Sequence, residues 1–147
     1  MGSAVEKMGA TGETLRDGAF KDAIFSSEEL ELAQLFKAFG LDWTPRPGMY
    51  VLDQSELIEC PSPFQDRVFF ILDLKHFLRR SGTIESLKDR VCWLPTWEQA
   101  RQILSDLGVP AAQIALRLVD SRALIEGTER LELYRMIEER ITGEELF

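Results

Sequence analysis

A chain of 147 residues that is 45% hydrophobic and 29% charged holds enough apolar material for one compact domain and is short for two. Its 17 Lys and Arg against 25 Asp and Glu leave a formal net charge of −8, which disfavours nucleic-acid binding by phosphate neutralisation unless the basic residues cluster. With 2 Cys (Cys60 and Cys92) and 1 His (His76), a four-ligand zinc site of Cys and His alone is excluded, and no apolar run approaches the ~18–20 residues of a membrane span.

The opening stretch MGSAVEKMGATGETLRDG has no apolar signal-peptide core, so the expected setting is cytoplasmic, with reduced thiols. Residues 1–25 mix Gly, Ala, Thr and charge without a sustained period and read as a flexible N-terminal arm ahead of a single globular domain at 26–147. Ser26-x-x-Glu29 has the spacing of a capping box, and Leu32, Leu35, Phe36 and Phe39 then share one face before Gly40, which predicts a helix over 27–39. The two prolines of LDWTPRPG cannot continue it, so 41–48 is an extended turn region. MYVLD and ELIEC follow as two β-compatible runs around Gln54 and Ser55, spaced as a hairpin.

RVFFIL reads as a buried strand and DLKHFLRRSG as a helix ended by Gly82, with Leu74, Phe77 and Leu78 on its apolar face. VCWLP is a strand stopped by Pro95. Thr96-x-x-Gln99 is a second capping box, opening a helix in which Trp97, Ala100, Ile103, Leu104 and Leu107 keep the 3.6 period as far as Gly108. IALRLVD at 114–120 alternates weakly and reads as a strand returning through ALIEG at 123–127; a last helix from Thr128 carries Leu131, Tyr134, Ile137 and Ile141 on one side. The fold expected is therefore α+β or α/β, with a small sheet of about four to six strands including a hairpin and three or four packed helices. DRVFFI and DRVCWL, each followed by a helix and a glycine, also raise the question of an internal repeat.

Residues 61–110 carry seven basic and six acidic side chains and are the least acidic third of the chain. Within them Lys75, His76, Arg79 and Arg80 lie opposite the apolar face of their helix, a compact cationic surface suited to an anion or an acidic partner; the competing reading is an ordinary solvated helix face. His76 has no nucleophile elbow beside it, and neither Gly-rich phosphate loop pattern occurs. Asp42, Asp53, Glu56 and Glu59 crowd the hairpin region without calcium-loop spacing and read as a solubilising face. Trp43, Pro45, Arg46, Pro47, Met49 and Tyr50 form an aromatic and proline-rich loop suited to a protein contact or an apolar ligand, or else to sealing the core.

These residues favour a non-enzymatic interaction or adaptor domain of a cytoplasmic, bacterial-type protein, contacting a protein partner or a second copy of itself. Its binding residues would be Trp43, Arg46 and Tyr50, with Lys75, His76, Arg79 and Arg80. No cofactor, metal ligand or catalytic set is expected. A small hydrolase or transferase whose acidic cluster, His76 and Arg79 converge only in three dimensions is the competing class. Nucleic-acid binding ranks third, because it needs Lys75, Arg79, Arg80, Lys88, Arg90 and Arg101 on one surface.

Overall fold

A computed structural model describes residues 24–143; residues 1–23 of the arm expected at 1–25 and the acidic tail at 144–147 lie outside them. Helix α1 (Ser27–Ala38) begins at the capping box read from the sequence: Ser26 Oγ accepts the Glu29 N–H at 3.1 Å and Glu29 Oε1 accepts the Ser26 N–H at 2.8 Å. Strands β1 (Tyr50–Asp53) and β2 (Val68–Phe70) follow, then α2 (Leu74–Ser81), α3 (Ile84–Arg90) and β3 (Val91–Leu94). The rest is helical: α4 (Trp97–Asp106), α5 (Ala111–Asp120), the single turn α6 (Ala123–Glu126) and α7 (Glu129–Thr142).

The three strands form one antiparallel sheet in the order β2-β1-β3, with Leu52 opposite Val68 and Cys92, and Val51 opposite Phe69 and Trp93. Side chains alternate across a strand, so the sheet serves two cores. Leu52, Val68, Cys92 and Leu94 face α1, α4 and α7 together with Phe36, Leu104, Tyr134 and Ile137. Val51, Phe69 and Val91 face the other way, onto Phe77 of α2 and Leu87 of α3. A chain of ion pairs fastens the helices on the larger side: Glu132 of α7 is buried between Arg117 of α5 at 2.6 Å and Arg135 at 3.1 Å, while Arg117 also grips Glu139 and Arg135 grips Glu28 of α1. No described helix is long and apolar enough to cross a membrane.

Three expectations are corrected. ELIEC is not a strand. The fully buried carboxylate of Asp53 accepts the Leu57 N–H at 2.9 Å and the Ile58 N–H at 2.7 Å, which folds the chain back and drives Leu57 and Ile58 into the smaller core. Backbone groups satisfied by that side chain are not available to a ladder, and Glu56 at φ 59 has left extended geometry. The next strand to pair with β1 is therefore β2, across a long connection, and β3 pairs antiparallel on its other edge.

IALRLVD and ALIEG are likewise not strands but α5 and α6. The sheet thus has three strands rather than four to six, and the described residues hold seven helices rather than three or four; α3, capped by Thr83 Oγ1 on the Ser86 N–H, is the other unforeseen one. At the N-terminal boundary Phe25 is a core residue, 2% exposed, whose main chain is pinned by both ends of the Gln65 amide at 2.7 and 2.8 Å.

The sheet register also answers the question of the repeat. DRVFFI and DRVCWL supply β2 and β3, which flank β1 on opposite edges, but Val68 stands level with Cys92 rather than with Val91. One residue of slip reverses the facing of every side chain, so Val68 enters the larger core and Val91 the smaller. The matching letters do not occupy matching sites.

Candidate functional site

The segment entering β1 is held open rather than coiled. Pro45 and Pro47 fix their own φ and remove two donors, and Gly48 sits at φ +97, where a side chain would be strained. Two main-chain bonds dock its end beside β2: Gly48 N–H to the Ile71 carbonyl, and Ile71 N–H to the Met49 carbonyl, both at 2.8 Å. Trp43, half-buried, then lies flat on Trp93 of β3 with ring centroids 5.7 Å apart and planes 14° from parallel.

Gln99 locks this arrangement to α4. Its Oε1 accepts the Thr96 N–H at 3.0 Å, completing the capping box, and the Trp93 indole N–H at 3.2 Å, while its Nε2 donates to the Gly48 carbonyl at 3.3 Å. One amide therefore joins a helix start, a strand tryptophan and the proline loop.

Concave surface opens on both sides of the tryptophan stack. One groove of about 560 Å³ runs over Trp43, Arg46, Pro47, Met49 and Trp93 toward Gln102 and Asp106 of α4. A smaller one of about 270 Å³ lies on the other side, between Phe36, Leu41 and Lys88. The first is apolar at its floor and carries both signs of charge at its rim: Arg46 is exposed and forms no ion pair among the described residues, whereas Asp42 holds Lys88 at 3.7 Å.

Gln99 also borders a third and larger groove, about 960 Å³, where α1, α4 and α7 begin near Tyr50 and Trp97. Two of its charged groups, Glu29 and Arg130, are engaged with each other. Buried Glu29 caps α1 and binds Arg130 at 2.7 Å, and the Arg130 guanidinium lies 4.1 Å from the centre of the Phe25 ring. Below it the Tyr134 hydroxyl donates to the Pro95 carbonyl at 2.5 Å, and burial pushes that phenol well above its ordinary pKa.

The structure thus brings Trp43 and Arg46 into one groove and places Tyr50 in the neighbouring one, packed against Phe25, Phe64 and Phe70 at centroid distances of 5.7, 6.0 and 4.7 Å. Lys75, His76, Arg79 and Arg80 are exposed on α2 and line none of the three grooves; His76 stands edge-on to Phe77 at 5.8 Å. Of the other basic residues named with them, Lys88 faces Asp42, Arg90 donates to Ser55 Oγ at 3.1 Å, and Arg101 lies over the Trp97 ring on α4.

The acidic residues are dispersed as well: Asp42 holds Lys88, Asp53 is buried, and Glu56 faces Arg67 at 3.8 Å. Cys60 is exposed and Cys92 buried, with burial raising the Cys92 thiol pKa. Among the described residues no cluster of three or more His, Cys, Asp or Glu is arranged to hold a metal ion.

Trp93 and Gln99 are the site residues the sequence reading missed. Their signals were present, since a tryptophan in a strand of otherwise small and aliphatic residues invites an aromatic partner, and a capping glutamine has acceptor capacity to spare. Compared with protein-family models, with curated proteins and with solved structures, the chain matches none.

Proposed function

We propose that this is a non-catalytic interaction module that receives an extended, proline-containing peptide of a partner protein along the Trp43–Trp93 groove. One observation carries the reading: two indoles stacked at 14° line a groove together with the charged Arg46 and Asp106 and the apolar Pro47, Met49 and Ile103. Aromatic faces bury area at little entropic cost, and a polyproline-type segment arrives already extended, so such grooves suit it. Gln99 supports the reading too, because it fixes the Trp93 ring and the proline loop before any ligand arrives. The hydrolase or transferase alternative draws no comparable support from His76, whose ring contact is with Phe77, or from carboxylates engaged at separate places.

The test is an NMR titration of the labelled chain with a panel of short proline-rich peptides, with and without acidic residues, against scrambled controls lacking proline. The expected result is a shift of the Trp43 and Trp93 indole signals with saturable binding, abolished by Trp43→Ala and weakened by Arg46→Ala. Shifts confined to the α2 face, or saturable binding by a folded Trp43→Ala variant, would overturn the assignment.

A further inference from the structure

Helix α5 has two apolar faces, and the described residues cover one. Ile114 and Leu118, four apart, are buried, and Arg117 beside them is drawn onto α7 by Glu132 and Glu139, which fixes how the helix is turned. The opposite side holds Ala112, Ala115, Leu116 and Val119, the i, i+3, i+4, i+7 spacing of a packing stripe, with all four exposed and Leu116 and Val119 each at 61%. After the Ser121–Arg122 turn, α6 packs beside α5 and adds Leu124 at 54% and Ile125 at 72% exposure.

Large aliphatic side chains grouped in this way mark an association surface rather than ordinary scatter. We propose that this α5–α6 face is an isologous dimer interface that pairs with the same face of a second copy of the chain.

Charge selects the occupant. The whole chain carries −8 and two copies repel, but with Arg117 turned onto α7 the charges left on the 111–127 segment are Asp120, Arg122 and Glu126, a net of only −1, so this is a surface on which like chains can meet with little repulsion. Its rim is also self-complementary. Arg122 and Glu126, paired at 3.8 Å within one chain, are both more than half exposed, and a two-fold axis brings residue i to j and j to i, so each can exchange partners with its copy. A strongly basic or acidic partner finds no such complement.

The area is of the right order for a modest dimer. Four side chains more than half exposed give roughly 400 Å² per copy, and the two alanines and the charged rim bring the pair toward the ~1,200 Å² of a small specific interface. Alanine at 112 and 115 allows the two helix axes to approach closely.

The experiment is sedimentation equilibrium of the full chain over a wide concentration range, at low and moderate salt. A reversible dimer that tightens with salt is expected, as screening relieves the −8 repulsion while the apolar contact persists. Leu116→Ser with Ile125→Ser weakens it at least about tenfold while leaving the unfolding midpoint unchanged at dilutions where the parent is monomeric, since both side chains are solvent-exposed in the single chain. As an independent readout, Ala115→Cys in a Cys60→Ser background is captured as a covalent dimer by a short bifunctional maleimide. A monomer at every concentration overturns the proposal, as does a dimer that survives the double serine variant, or one that forms yet gives no Ala115→Cys cross-link or is dissolved by Trp43→Ala instead.

Discussion

Replacing Asp53 by alanine should be the most damaging single change to the β1–β2 connection. Its side chain is 0% exposed, and its two oxygens are the acceptors for the Leu57 and Ile58 main-chain N–H groups. Hydrogen bonds to a charged acceptor contribute about 1.5–3 kcal/mol each, and a buried donor left without a partner costs about 1–3 kcal/mol, so Asp53→Ala should destabilise by about 3–5 kcal/mol in total. Part of the effect will come through packing, because Leu57 and Ile58, 4% and 6% exposed, lose the bonds that hold them in the smaller core. Asp53→Asn keeps one acceptor oxygen and should fall between the two.

The assay is urea unfolding, with hydrogen exchange of the Leu57 and Ile58 amides as the local readout. If the alanine variant unfolds within about 0.5 kcal/mol of the parent, the range of an ordinary surface change, and those two amides stay protected, the reasoning about the loop is refuted.

Three further outcomes follow from the same physics. Arg117→Met keeps the stem but removes the partner of Glu132, whose side chain is 7% exposed, so a loss of about 2–4 kcal/mol is expected in chemical denaturation; an unchanged midpoint would show that Arg135 alone satisfies that carboxylate. Glu139 and Glu28 are held below the ordinary carboxylate pKa, chiefly by hydrogen bonds from Arg117 and Arg135, so their contribution is complete above the unfolded glutamate pKa and is lost as pH falls through the depressed folded values. Glu139→Gln should therefore flatten the acid limb of a stability–pH curve, with high salt shrinking the smaller share from half-exposed Glu28, and an unflattened limb would contradict the pairing. Phe25→Ala should cost about 3–5 kcal/mol, as for a truncated core aromatic; a shift within the surface range would return Phe25 to the N-terminal arm.

Local chemistry was readable, and pairing between distant segments was not. The starts of α1 and α4 were visible because a capping box is written within four residues, and α2 and α7 because their apolar spacing faces one core. The proline and tryptophan loop was visible as composition, whereas its stacking on Trp93 depends on β1 bringing residues 43 and 93 together. Leu57 and Ile58 looked like strand residues because the sequence shows an apolar pair after a short polar stretch; that a buried aspartate four residues earlier uses up their N–H groups is a tertiary fact.

Helix α5 was misread for a reason that also bears on what it does. Ile114, Leu116 and Leu118 alternate in the sequence and suggest a strand, yet Ile114 and Leu118 point inward and Leu116 points out, so the period of two arises by adding two faces of one helix. A helix that satisfies only its own core shows a single apolar stripe and a clean period near 3.6. Arg117 shows that the second stripe is no accident of an inverted helix, since its ion pairs to Glu132 and Glu139 lock the inner face in place and leave Ala112, Ala115, Leu116 and Val119 with nothing of their own chain to cover them among the described residues. The ambiguity in the pattern and the exposed second stripe are thus one property: a sequence written for two packing surfaces blurs the signal of either, and the second surface is the one proposed to meet a copy of the chain.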